Sequence, residues 1–210
     1  SFLLLAPHLA AEALIAVVTA NVIADDVVAT DESASWRRWM AWGELPALAN
    51  ARVFATQRYG VPAWDVLTPA SVAAPTNLTD LAKLEALRIH SGVPAVPADC
   101  GANEFPQECG LEPWVSYTKG CYLGQEVMAR IQSMGSLRRI LRRVESTDGS
   151  PLVAGSELSV AGKVIGKVRS TAGLLGLALV NLDQPVGTVC AAVSGGVVLG
   201  VPATLPFAKA

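Results

Sequence analysis

Apolar and polar positions divide the chain near residue 135. Before it, short apolar runs alternate with segments of helical spacing. After it, valines and glycines recur and no helical spacing stands out. Phe2-Leu3-Leu4-Leu5-Ala6 makes residues 1–6 a predicted strand, ended by Pro7. Residues 8–20 put Leu9, Leu14, Ile15 and Val18 on one side of a helix. A short strand is predicted within 22–29, around Asp25-Asp26. In 34–50, Trp36, Trp39 and Trp42 recur at i, i+3 and i+6, with Arg37 and Arg38 between them. That spacing predicts a helix whose tryptophans pack a core, in preference to an aromatic platform for a base or a pterin. Strands are predicted over 51–57 and 63–67. Asp65 in the second is an outward-facing strand residue or, if buried, a ligand contact. A helix over 77–90 has Asn77 or Thr79 as cap, Asp80 in its first turn, and Leu78, Leu81, Leu84 and Leu87 at helical spacing. Arg88 and His90 fall at its C-terminal end, where the helix dipole favours basic groups.

Residues 92–113 hold Pro94, Pro97, Gly101, Pro106, Gly110 and Pro113. A loop this long is usually functional or packed over a site. Trp114 to Thr118 reads as a strand, and a helix is expected from Val127. Residues 137–210 break at Gly149, Gly155, Gly162, Gly166, Gly173, Gly176 and Gly187, which predicts an all-β barrel or sandwich. The predicted class is α+β, with an α+β region over 1–135 and a β domain over 136–210.

Composition narrows the function classes. The 210 residues are 51% hydrophobic and 16% charged, which is globular and far from disorder. A net charge of −2 gives no basic excess for direct binding of nucleic acid. The basic run Arg138-Arg139-Ile140-Leu141-Arg142-Arg143 reads as a strand with solvated arginines. No membrane span is expected, because the opening apolar run is too short and the following helix carries Glu12. No basic segment marks a signal peptide. The chain opens inside an apolar run without Met, so an N-terminal part is expected to be missing from this sequence. Four cysteines, at 100, 109, 121 and 190, form no CxxC, and the only histidines are His8 and His90. No metal motif results, and the scatter suits a reducing compartment. Cys100, Cys109 and Cys190 read as small hydrophobes.

Lys119-Gly120-Cys121-Tyr122-Leu123-Gly124-Gln125-Glu126 concentrates the candidate chemistry. A helix start and a neighbouring cation both favour negative charge, so a cysteine there suits a reactive thiol. Three roles remain open for Cys121: nucleophile or redox thiol, single ligand, or filler in a turn shaped by Gly120 and Gly124. Neither histidine has an orienting partner, which argues against a Cys–His hydrolase. Gln125 and Glu126 are also ordinary first-turn helix residues.

Leu87-Arg88-Ile89, Gly92-Val93-Pro94, Phe105-Pro106-Gln107-Glu108 and the string from Lys119 to Arg130 resemble the YgfZ-type folate-binding proteins. These are relatives of the glycine-cleavage aminomethyltransferases. Weaker similarity runs along the whole chain. The resemblance implies folate-binding α+β domains followed by a small C-terminal β-barrel. It also implies a cytoplasmic tetrahydrofolate-binding protein that assists iron–sulfur cluster assembly or repair in client enzymes, tRNA-modifying ones included. Residue by residue, Asp65 stands where the transferases hold the pterin with a glutamate, one methylene longer. Arg88 matches their folate arginine. Cys121 stands where they carry an acid. These departures point away from classical glycine cleavage; folate-dependent one-carbon transfer or demethylation is the alternative function, and a non-catalytic interaction module the second. The implied site is Cys121 as functional thiol with Lys119 beside it, and Asp65, Arg88, Tyr122, Gln125 and Glu126 toward the cofactor.

Overall fold

A computed structural model describes residues 2–6, 9–20, 22–45, 47–57, 59–76, 78–135 and 137–203. His8 and the candidate cap Asn77 lie outside the described residues. The chain forms two compact units. One comprises Ser1–Thr56 with Pro62–Leu78, the other Gln57–Val61 with Thr79–Ala210.

The first unit holds helix α1 (Ala11–Thr19) and three strands, β1 (Trp36–Trp42), β2 (Arg52–Thr56) and β3 (Ala63–Pro69). They pair antiparallel in the order β1-β3-β2. The tryptophan segment is therefore a strand and not the predicted helix. Spacing by three places successive tryptophans on opposite faces of a strand, Trp36 and Trp42 on one and Trp39 on the other. Aromatic side chains suit a pleated, half-buried surface, and here that preference overrides the helical spacing. Trp39 Nε1–H donates to Thr68 Oγ1 on β3 at 2.9 Å. β3 is central, and Ala63, Val66, Leu67 and Thr68 are buried on it. Residues 2–6 and 22–30 form no strand, contrary to the pattern reading.

The second unit begins with α2 (Leu81–His90). Asp80 is its N-cap, accepting from Ala82 N–H at 3.0 Å. The expected leucine face is not the buried one: Leu81 is exposed, while Arg88 and Ile89 are buried. Ile89 packs with Leu141, Leu177, Leu179 and Ala203, so α2 lies against strands of the barrel. Helix α3 (Gln125–Met134) starts at Gly124 and ends at Gly135, both with positive φ. The predicted strand over 114–118 is absent. Glu112–Trp114 form a single 3-10 turn, and irregular chain follows.

Six strands close the barrel: β4 (Arg139–Ser146), β5 (Glu157–Val160), β6 (Lys163–Ala172), β7 (Leu175–Asn181), β8 (Val189–Ala192) and β9 (Gly195–Pro202). Their order is β4-β7-β6-β5-β8-β9. The α+β class with a C-terminal β-barrel is as read from the sequence. Alternating apolar positions, among them Val144, Leu158, Val168, Val180, Val197 and Leu199, fill the core. Cys190 joins them as a buried filler, and burial pushes its thiol up from the ordinary value. At Gly166 the facing strand comes too close for a side chain. A Cβ there would run into the Leu179 carbonyl and lie 2.7 Å from Val180 Cα. Gly166→Ala is expected to destabilise the barrel by about 1–3 kcal/mol, read from urea unfolding. An unchanged midpoint would contradict the close approach.

Candidate functional site

The turn from Lys119 to Gly124 joins the loop to α3. Lys119 N–H donates to Ser116 Oγ at 3.2 Å, and Gln125 N–H to the Tyr122 carbonyl at 3.2 Å. Between these two closures Cys121 is exposed. A Cβ at Gly120 or Gly124 would meet nothing within 4 Å, so the turn is open on that side. Gly124 has φ 86°, the left-handed conformation that glycine adopts without strain. Cys121 therefore precedes the helix cap and lies outside the first turn, and α3 begins two residues before the Val127 expected from the sequence. The Lys119 ammonium sits 4.7 Å from the centre of the Tyr122 ring, in cation–π contact. This puts a positive charge on the turn that carries the thiol. The Tyr122 hydroxyl is buried and has no hydrogen-bond partner among the described residues. Glu126 is exposed and pairs with Arg130 one turn along α3 at 3.1 Å. The structure thus brings Lys119, Tyr122 and Gln125 together around Cys121's turn and leaves Glu126 on the outer face of α3.

Arg88 is only 3% exposed. Its guanidinium donates to Glu85, to the Val93 carbonyl and, at 2.7 Å, to Asp99, itself fully buried. Burial opposes its charge, but Glu85 and Asp99 more than offset that and raise its pKa. Arg88 thus ties the end of α2 to the start of the loop. Asp65, in the first unit, is 5% exposed and pairs with Arg38 at 2.6 Å. This is a diagonal pair across β1 and β3, whose register sets Asp65 opposite Met40 and Arg38 opposite Leu67. Asp65 is thus not the outward-facing residue taken as the default.

The loop before the turn holds residues to which the sequence reading gave no role. Glu104 reaches Arg169 on β6 at 2.5 Å, and Glu108 reaches Arg139 on β4 at 2.9 Å. Leu141 N–H donates to the Glu108 carbonyl at 2.7 Å. Gln107 Nε2–H donates to Tyr117 Oη at 3.1 Å and to Met128 Sδ at 3.5 Å, which links the loop to α3. The basic run enters strand β4 as expected and Arg138 is exposed, but the other three arginines hold partners. Arg139 holds Glu108, Arg142 is buried with its N–H groups on the Gly200 and Gln184 carbonyls, and Arg143 donates to the His90 carbonyl. The signal available in the sequence was complementary: acids at 99, 104 and 108 against arginines at 88, 139 and 169.

Burial raises the Glu104 carboxyl, but the Gly101 N–H and Arg169 outweigh it, so it titrates below the ordinary 4.5. An acid depressed on folding stabilises fully above its unfolded value and loses that contribution as pH falls through the folded one. The clamp is therefore complete at neutral pH and fails progressively below 4.5. Glu104→Gln is expected to remove on the order of 1–3 kcal/mol at neutral pH. That gap should close on acidification in parallel unfolding curves. A gap independent of pH would count against the ion pair.

Comparison with known proteins places this architecture. Residues 127–206 match the C-terminal β-barrel domain of CAF17. The human mitochondrial iron–sulfur cluster assembly factor IBA57 is 36% identical over 96 residues, 44% of this chain and 27% of that protein. The tRNA-modifying protein YgfZ of Edwardsiella ictaluri is 31% identical over 131 residues, 57% of this chain and 40% of the relative. Over part of its length the chain is thus similar to YgfZ and IBA57. Its fold agrees: the glycine cleavage system aminomethyltransferase T of Bartonella henselae superposes with a TM-score of 0.59 at 14% identity, over 73% of this chain and 49% of that one. These matches span less than half the length of the two curated relatives. The similarity to YgfZ agrees with the resemblance carried by the Lys119–Arg130 string. Among the described residues no group of three or more His, Cys, Asp or Glu side chains is placed to hold a metal ion. Among them, too, no helix is long and apolar enough to cross a membrane.

Proposed function

We propose that the chain is a tetrahydrofolate-binding helper of iron–sulfur cluster assembly or repair in client enzymes, tRNA-modifying ones included. The observation that carries this reading is the exposed Cys121 thiol in an open turn between Lys119 and Tyr122. Support comes from the relatives, one an iron–sulfur cluster assembly factor and another a tRNA-modifying protein. In this proposal Cys121 is the functional thiol. Lys119 holds the Tyr122 ring and keeps a cation on the thiol's turn. The proposed compartment is the cytoplasm, whereas the human relative is mitochondrial.

Folate fits some of the candidate residues and not others. The Tyr122 hydroxyl, buried and without a partner among the described residues, fits a ligand hydrogen bond. Gln125, half-buried beside it in sequence, and Glu126 remain candidates on the same turn. Asp65 remains the pterin candidate, since a carboxylate oxygen accepts from adjacent N–H donors, but Arg38 already holds it. Arg88 does not fit a direct contact, because Glu85, Val93 and Asp99 take its donors. Its proposed part is positioning: it fixes the loop that leads to the turn. Folate bound here would supply a one-carbon or redox-active pterin. Calorimetric titration with tetrahydrofolate tests this part, with saturable heat expected for the chain and loss of it for Tyr122→Phe. Absence of heat from the intact chain would leave an interaction module and overturn folate binding.

A further inference from the structure

Residues 116–135 carry Cys121, yet little packing joins them to the unit that holds them. Ile131 is the buried residue of α3, while Leu123, Val127 and Met134 are exposed. The bonds within the segment close on themselves: Lys119 N–H to Ser116, Gln125 N–H to Tyr122, Arg130 to Glu126. Among the described residues, the hydrogen bonds that join 116–135 to the rest of the chain come from one side chain, that of Gln107. Its Nε2–H groups reach Tyr117 Oη at 3.1 Å and Met128 Sδ at 3.5 Å. Tyr117 lies just before Lys119. Met128 lies in the opening of α3, its N–H on the Gly124 carbonyl at 3.1 Å. One amide thus spans both arms of the turn that carries the thiol.

Gln107 is itself fixed from behind. It is 7% exposed. The next residue, Glu108, pairs with Arg139 on β4, and its carbonyl accepts from Leu141 N–H. Leu111 N–H returns to the Pro106 carbonyl at 2.8 Å and closes the loop around it. The path from barrel to turn therefore runs through a rigid loop and a single amide. Gln107 Oε1 is buried and has no partner among the described residues. A half-satisfied buried amide is worse for stability than an apolar side chain of the same shape. Stability alone thus gives no reason for a glutamine here, whereas bridging a hydroxyl and a thioether on two separate arms does. We infer that Gln107 is a positioning residue for the Cys121 thiol. It touches neither the thiol nor a ligand. Acting through Tyr117 and Met128, it sets the turn against the barrel, so that the thiol meets its client in one orientation. This inference rests on the proposed role of Cys121.

Two variants of the intact chain test it from opposite ends. Gln107→Met keeps the length of the side chain and removes the N–H donors. Tyr117→Phe keeps the ring and removes the acceptor. Hydrogen–deuterium exchange, alkylation of Cys121 by iodoacetamide and support of a cluster-dependent enzyme are read on each. In both variants the α3 amides should exchange about fivefold faster, as for loss of one buried hydrogen bond, while β4 to β9 exchange as in the parent. Cys121, exposed in any case, should be alkylated at the parent's rate. Support should fall all the same, because the thiol is present but no longer held in place. Unchanged exchange in α3 would overturn the inference. So would faster exchange throughout the barrel, which marks a general stability role, or full support despite a loosened α3. Cys121→Ala separates the two readings. If it loses support while Gln107→Met keeps it, the positioning role fails and the thiol stands. If it keeps full support, the thiol reading fails, and this inference falls with it.

Discussion

Arg88→Ala is expected to destabilise the second unit by about 3–5 kcal/mol, because it strands a buried carboxylate. Asp99 is fully buried, and Arg88 is the cation placed against it at 2.7 Å. Removing the guanidinium also frees the Val93 carbonyl, on which the turn after α2 depends. The effect should be non-additive with Asp99→Ala, since the second change removes the charge that the first leaves unpaired. Urea unfolding of the two single variants and the double variant measures this. A loss below about 1 kcal/mol for Arg88→Ala would match an exposed pair instead and return Arg88 to the role of ligand contact. The alternatives differ in kind: a positioning arginine changes stability first, a ligand arginine changes affinity first.

Cys121→Ala is expected to do the opposite. The side chain is exposed and fills no core, so stability should stay within about 0.5 kcal/mol of the parent. Support of cluster-dependent enzymes should nevertheless be lost, since alanine offers no sulfur. Cys121→Ser serves as the stricter comparison, because it keeps a polar group of similar size but is a far poorer nucleophile and soft ligand. Unfolding of either variant under conditions that leave the parent folded would show that the turn needs the sulfur for structure. The mixed case, a stable serine variant that retains full support, would remove the thiol from the function.

The C-terminal third was the most legible part of the chain. Its valines alternate and its glycines recur, and period-two alternation has few readings other than half-buried strands. The tryptophan segment was the least legible. Trp36, Trp39 and Trp42 fit a helix by spacing alone, and only pairing with β3, remote in sequence, decides for a strand. The helix over Leu81–His90 was found, but its buried face was assigned to leucines. Asp99 in the loop, together with Glu85 on the helix, instead holds Arg88 buried, and no window on the helix contains Asp99. The turn around Cys121 was located from its residues, and its string also carries the resemblance to YgfZ-type proteins. Its exposure was not legible, because Gly120 and Gly124 permit an open turn and a packed one equally. The loop clamps were missed for a related reason. Glu104 and Glu108 meet arginines more than thirty residues away, where charge pattern alone gives no pairing.

Restoration of an iron–sulfur enzyme tests the central claim most directly. An extract lacking its own factor of this type is supplied with the purified chain, and the activity of a cluster-dependent enzyme is followed with and without tetrahydrofolate. The expected result is recovery of activity with the parent chain and none with Cys121→Ala, both proteins being equally folded. Equal recovery with the two proteins, or none with either, would contradict a role for this chain as a thiol-bearing helper of cluster assembly.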